Sequence, residues 1–170
     1  NIAKAFSKFP QYQTYGIDTN SDADITIKAK KNHEEYDSSF PDLKRKLKFK
    51  DEDILVVIAG AGKISGGSLR LLEQLQKNRL TVLYIEGDLT IMSEVQKKQE
   101  RIVSSVLQEY ARSGVLEQII MVNNAHIERS IGDMSIIGYY DTLNQAIVNI
   151  IHMTNVFRHS EPVIGNFITP

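Results

Sequence analysis

Four glycines and three polar side chains, at Gly60, Gly62, Lys63, Ser65, Gly66, Gly67 and Ser68, sit where a phosphate could be held. The apolar run from Asp53 to Gly60 reads as a buried strand, and an amphipathic helical stretch begins at Leu69. A glycine-rich turn between strand and helix lets backbone N–H groups approach a polyphosphate, and the helix adds its unpaired first amides and positive dipole end. At Gly60, Gly62, Gly66 and Gly67 a Cβ is expected to crowd the ligand or to forbid positive φ angles. Ala61 and Lys63 complete the expected phosphate-binding set. A Walker A loop is excluded, because Ile64 follows Lys63 where that motif needs Ser or Thr. The spacing of Gly60, Gly62 and Gly66 is one residue longer than the dinucleotide fingerprint, yet Glu86 and Asp88 could imitate its ribose-binding acid. A dinucleotide therefore stays open, as does a plain structural turn.

The elements around this loop alternate. Ile2, Ala3, Phe6 and Phe9 share a helical face that Pro10 ends. Tyr12 to Ile17 and Ile25 to Ala29 read as strands about the polar turn Asp18 to Asp22, and Lys30 to Ser39 as a polar loop. Pro41 opens a short helix through about Leu47. After the glycine loop, Leu69, Leu71, Leu72 and Leu75 form a stripe, and Leu80 to Ile85 is a buried strand. Ser93 and Gln96 make a capping box for a long helix. Its apolar face is Val95, Ile102, Val103, Val106, Leu107 and Tyr110, its polar face carries Lys97, Lys98, Glu100 and Arg101, and Gly114 stops it. Leu116 to Val122 is a strand, Asn123 to Asp133 a loop, and Tyr139 to about Phe157 a helix holding Leu143, Ala146, Ile147, Ile150 and Ile151. The alternation predicts an α/β, Rossmann-like, mostly parallel sheet with helices on both faces and ligands at the strands' carboxyl ends. A chain of this class normally begins with a strand, so a first strand is expected upstream of Asn1.

Composition narrows the partners. The 170 residues suit one domain, and 42% hydrophobic content supplies a core. A net charge of -1 gives no reason to expect nucleic acid or an anionic membrane. Lys28, Lys30, Lys31, Lys44, Arg45, Lys46, Lys48 and Lys50 make the first third locally basic, which reads as a solvated face. Without cysteine there are no disulfides or thiolate metal sites, in keeping with a cytoplasmic setting. No apolar run approaches the roughly 20 residues of a membrane span. His33, His126, His152 and His159 lack metal-ligand spacing, so no metal site is expected. Glu34, Glu35 and Asp37 could approach a phosphate or a magnesium shell, and no Ser-His-Asp arrangement can be argued.

The order of loops resembles the tubulin/FtsZ family of GTP-binding, filament-forming proteins over most of the chain. Asn1 to Lys4 resembles the start of that family's first helix, and Ile17 to Asp22 its second nucleotide loop. Gly60 to Gly66 is similar to the GGGTGSG loop at Gly60, Gly62, Ser65 and Gly66, and departs from it at Ala61, Lys63 and Ile64. Val122 to Ala125 is similar to the loop whose asparagine reads guanine. Tyr140 to Asn144 resembles the pattern YxxLN at the start of the central helix, where i and i+4 share a face. The resemblance implies a GTP-binding domain over 1–157 followed by an irregular segment 158–170. It implies Asp18, Thr19 and Asn20 on the phosphate and magnesium side, and Asn124, Tyr140 and Asn144 at the base. Further implied are GTP or GDP with magnesium as ligands, and head-to-tail self-association with hydrolysis at subunit junctions. Ser160 to Pro170 holds Asn166 and Glu161 but no recognisable catalytic acidic loop, so the catalytic residues of a GTPase are unknown. A non-hydrolysing structural or regulatory module of the same fold, and a dinucleotide-binding oxidoreductase fragment using Glu86, are the alternatives.

Overall fold

A computed structural model of the chain describes residues 2–47, 49, 52–132 and 137–161. In chain order its elements are α1 (Ile2–Phe6), β1 (Ile17–Asp18), β2 (Ile25–Thr26), α2 (His33–Ser38), β3 (Asp53–Ala59), a 3-10 turn (Lys63–Gly67), α3 (Ser68–Leu75), β4 (Arg79–Glu86), α4 (Glu94–Arg112), β5 (Gln118–Asn123), α5 (Asn124–Ile131) and α6 (Tyr139–His159). The chain divides into two compact units. One spans Gly16–Ser130, and the other joins the described residues of 1–15 and 131–170.

The larger unit is α/β. Aliphatic and β-branched residues favour extended backbone in β3, β4 and β5, and the three form a parallel sheet in the order β3-β4-β5. The register sets Ala59 opposite Ile85 and Glu86 opposite Asn123, so the carboxyl ends of the strands are flush. Leu80, Val82, Leu83 and Tyr84 are fully buried at the centre of that sheet. A second, parallel pair of two residues each joins β1 to β2, with Ile17 opposite Ile25. The strands expected over Tyr12 to Ile17 and Ile25 to Ala29 thus shrink to their ends nearest the turn, where the Gly16 N–H donates to Asp24 Oδ2 at 2.6 Å.

Other expectations are corrected by local hydrogen bonding. Lys30 to Ser39 contains a helix, α2, because Asn32 Oδ1 accepts from the Glu35 N–H at 2.9 Å and Glu34 and Glu35 favour its first turn. No helix spans Pro41 to Leu47. Gln74 takes the Leu43 N–H at 2.7 Å and donates to the Pro41 carbonyl at 3.0 Å, leaving only a turn at Leu43–Leu47. The segment after β5 is α5 rather than a loop, since Asn123 Oδ1 accepts from the Ala125 N–H at 3.0 Å and caps it.

α4 begins at the expected capping box and ends before Gly114, which has φ 79°. Its buried stripe is Glu100, Val103 and Leu107. At 3.6 residues per turn Ile102 lies about 200° round the helix from Glu100, and both Ile102 and Val95 are exposed. Glu100 thus lies on the buried face of α4 and not on the polar face expected from its charge.

In the smaller unit α1 packs on α6. Leu143, Ile147, Val148 and Ile151 of α6 are buried, while Ile150, expected on the same face, is exposed. Phe9 stacks on His152 with ring centres 3.9 Å apart, and the Tyr12 hydroxyl lies 3.1 Å from His152 Nδ1. That histidine is thereby committed to packing. α1 stops at Phe6, with turns carrying the chain through Phe9 to Pro10. No helix among the described residues is long and apolar enough to cross a membrane. Asn1, Lys48, Lys50, Asn166 and the rest of segment 162–170 lie outside the described residues.

Candidate functional site

The glycine loop follows the carboxyl end of β3, as its strand-loop-helix pattern requires. Its backbone is largely engaged within the chain. The Gly60 N–H donates to the Ile85 carbonyl at 2.8 Å, the Gly62 N–H to Ala59 at 3.3 Å, and the Ser65 N–H to Gly62 at 3.0 Å. The buried Ser65 hydroxyl is also directed at the Gly62 carbonyl, 2.7 Å away.

The glycines have a different reason from the expected one. Positive φ occurs among the described glycines at Gly114, Gly132 and Gly138, and none of these is in the loop. What demands glycine is close approach by the chain itself. A Cβ on Gly66 would lie 2.6 Å from the His33 carbonyl oxygen, one on Gly67 would run into the Phe40 ring, and one on Gly60 would meet the Tyr84 hydroxyl and Glu100 Oε1. Gly62 has room, with Ile64 Cγ2 nearest at 3.6 Å.

Beside this loop lies a cleft of about 210 Å³. Lys31 and His33 line it from the start of α2, Gly60, Ala61 and Lys63 from the loop, and Met92, Gln96 and Gln99 from α4 and the turn before it. Lys31 and Lys63 form no ion pair among the described residues. No Asp or Glu among the described residues lines the cleft. The volume is below the roughly 300–1,000 Å³ of sites that enclose a whole small ligand, so the cleft suits one anionic end of a larger molecule. Its ammonium and amide donors fit phosphate oxygens. They do not fit magnesium, which takes oxygen ligands.

Behind Gly60 the Glu100 carboxylate, 5% exposed, accepts from the Gly87 N–H at 2.6 Å and so holds the turn after β4 against α4. Tyr84 is wholly buried next to it. Burial, then the charges of Glu100 and Glu86, push the Tyr84 phenol well above its ordinary value, which keeps it neutral. Neither the Tyr84 hydroxyl nor Glu100 Oε2 makes a hydrogen bond of good geometry, and both are buried. The signal for Glu100 was present in the chain, since it falls four residues after Gln96 and three and seven before Val103 and Leu107. Lys31, Gln96 and Gln99 carried no such signal, because only the packing of α2 and α4 brings them to the loop.

The remaining expected residues separate into groups. Asp18 ends β1 and Thr19 and Asn20 follow it in a tight turn, with Asp18 and Asn20 exposed and Asp18 Oδ1 accepting from the Thr19 N–H at 2.6 Å. Asn124 opens α5 at the end of β5, and its Oδ1 is buried without a hydrogen-bond partner. The adjacent Asn123 donates to Glu86 Oε2 at 2.8 Å, tying the ends of β5 and β4 together. Tyr140 and Asn144 stand one turn apart on α6, in the other unit, with Tyr140 73% exposed and its ring edge-on to Tyr139. Among the described residues no group of three or more His, Asp or Glu side chains could hold a metal.

His33 has a pH consequence. Burial lowers its affinity for a proton below the ordinary 6.5, outweighing the Glu34 charge and the Gly62 carbonyl. Its ring also lies near Ser65, with Nε2 3.4 Å from Oγ. The unfolded chain binds this proton more readily than the folded one, so stability falls as the pH drops from about 6.5 toward the lowered value, and levels off below it. Urea unfolding at pH 7.5 and 5.5 should show this loss, and His33→Gln should reduce it. An equal pH dependence in the variant would remove His33 as its source.

The chain matches no protein-family model, no curated protein and no solved structure.

Proposed function

We infer that this chain is a guanine-nucleotide-binding domain of the tubulin/FtsZ type, with a Rossmann-like sheet. The supporting observation is the pairing of two polar features on one sheet edge. A cationic cleft adjoins the end of β3, and the unsatisfied Asn124 Oδ1 lies at the end of β5. Neighbouring strands stand about 4.8 Å apart, so these ends are roughly 10 Å from each other, a gap that a sugar bridges between phosphates and base. An amide oxygen suits the N–H groups on the edge of guanine, and adenine offers fewer donors there.

In this reading Gly60, Ala61, Gly62, Lys63 and Ser65 to Gly67 face the phosphates, with Asp18, Thr19 and Asn20 on the magnesium side. Asn124 takes the base. Head-to-tail association follows from the resemblance, and a cytoplasmic setting is in keeping with a sequence without cysteine. The engaged loop amides and the lack of a carboxylate in the cleft favour, within the same fold, a binding module that does not hydrolyse GTP. The dinucleotide reading is weaker, because Glu86 is already bonded by Asn123.

Thermal shift with GTP, GDP, ATP and NAD tests this. A ligand at about 100 times its dissociation constant adds roughly 2.7 kcal/mol, and GTP and GDP should give that shift at concentrations where ATP and NAD do not. A shift from NAD alone would overturn the reading. Asn124→Ala should narrow the preference for GTP over ATP by about tenfold, the value of one hydrogen bond to a base edge. Unchanged relative affinities would take Asn124 out of the site.

A further inference from the structure

We propose that the cleft between the start of α2, Gly60–Lys63 and the first turns of α4 binds a polyphosphate without a divalent cation, Lys31 and Lys63 supplying the counter-charge. This rests on the phosphate-binding reading of the loop and departs from the magnesium that the family resemblance implies. Three observations carry it. Two lysines line one small cleft, and neither is neutralised by an ion pair among the described residues.

Second, the lining offers donors rather than metal ligands. Gln96 Oε1 is occupied by the Ser93 N–H at 3.0 Å and the Ser93 hydroxyl at 2.9 Å, which leaves its NH₂ group for the ligand. Gln99 offers another NH₂, shared with Glu34 Oε1 at 3.5 Å.

Third, no Asp or Glu among the described residues lines the cleft. A hard divalent ion bridging two phosphates to protein is held by one or two carboxylates, and the lining presents none. Two lysines make the same neutralisation directly, as compact point charges with three donors each. Magnesium on the ligand removes two of its negative charges and so competes with the lysines for the same oxygens.

The probe is inorganic tripolyphosphate, titrated calorimetrically into the full chain in EDTA and again in excess Mg²⁺. Binding in EDTA should be as tight as with Mg²⁺, or tighter. Lys31→Gln and Lys63→Gln should each weaken it about tenfold, the scale of one hydrogen bond to a charged group. Lys77→Gln, in the turn after α3 and outside the cleft lining, should leave it within twofold. Both cleft lysines are exposed, so the variants should melt as the parent does. Absence of binding in EDTA, a requirement for Mg²⁺, or affinities unaltered by both cleft substitutions would each overturn the proposal. Equal affinity for GTP and ATP alongside metal-free tripolyphosphate binding defeats the guanine reading alone. GTP selectivity that appears only with Mg²⁺ defeats this inference alone.

Discussion

Leu107→Ala is expected to lower the unfolding free energy by about 2–5 kcal/mol, whereas Ile102→Ala should change it by no more than about 0.5 kcal/mol. The two residues share the helix α4, and both belong to its expected apolar stripe. Leu107 is 0% exposed, so truncation removes packed methyl groups and leaves a cavity that its neighbours fill only partly. Ile102 is 63% exposed, and its side chain has little packing to lose. For a chain of this size each kcal/mol corresponds to roughly 2–4 °C in melting temperature. Calorimetric or optical melting therefore resolves the pair easily. Equal losses at both positions would mean that α4 presents a different face to β4 and β5.

The second large effect concerns the glycine loop. Gly66→Ala should destabilise the ligand-free chain by about 1–3 kcal/mol, as overpacking does. The obstructing atoms are His33 backbone, at 2.6 Å from its carbonyl oxygen and 2.7 Å from its Cα, which cannot rotate away as a side chain would. The new methyl must push α2 off the loop. Gly62→Ala is the matched control. Its φ of -86° and ψ of 141° suit any residue, and its nearest contacts are ordinary van der Waals distances. Stability there should hold or rise by a few tenths of a kcal/mol, because alanine restricts the unfolded chain. Urea unfolding without nucleotide reads both variants. If neither moves stability while both weaken phosphate binding, the glycines serve the ligand and the packing explanation fails.

The contrast between these two glycines shows where reading along the chain stops. Aliphatic runs at Asp53 to Ala59 and Leu80 to Ile85 read as parallel strands apolar on both faces. The second is buried on both, but in β3 only Val56 and Ile58 are buried and Val57 is exposed, so burial of its other face was an expectation the structure corrects. Ser93 and Gln96 announce the start of α4 because capping is a matter of three or four residues. The same locality explains the misses. α2 and α5 are short helices of polar residues whose starts depend on single asparagine caps, Asn32 and Asn123, and such caps look like turn residues in sequence. The helix expected after Pro41 is absent because Gln74, far along the chain, takes its backbone groups. The stripe of α4 was misplaced because Val95 and Ile102 are apolar and Glu100 is charged, and hydrophobicity alone cannot say which face a sheet will cover.

The phosphate-loop candidates were legible as residue types. Their partners were not. Lys31, Gln96, Gln99 and Glu100 reach Gly60 only when α2 and α4 converge on the carboxyl edge of β3 and β4, a juxtaposition of segments separated by up to about 70 positions.

Hydrophobic patterning and capping act over a few residues, so the alternation of β3, α3, β4, α4 and β5, the α/β class and the position of a glycine loop directly after β3 were already determined in the chain. Tertiary packing decided the rest. It decided that Gly66 and Gly67 make room for His33 and Phe40, that Glu100 goes inside, and that two lysines face one cleft. Those outcomes are settled by steric exclusion and desolvation between elements distant in sequence, which no local pattern encodes.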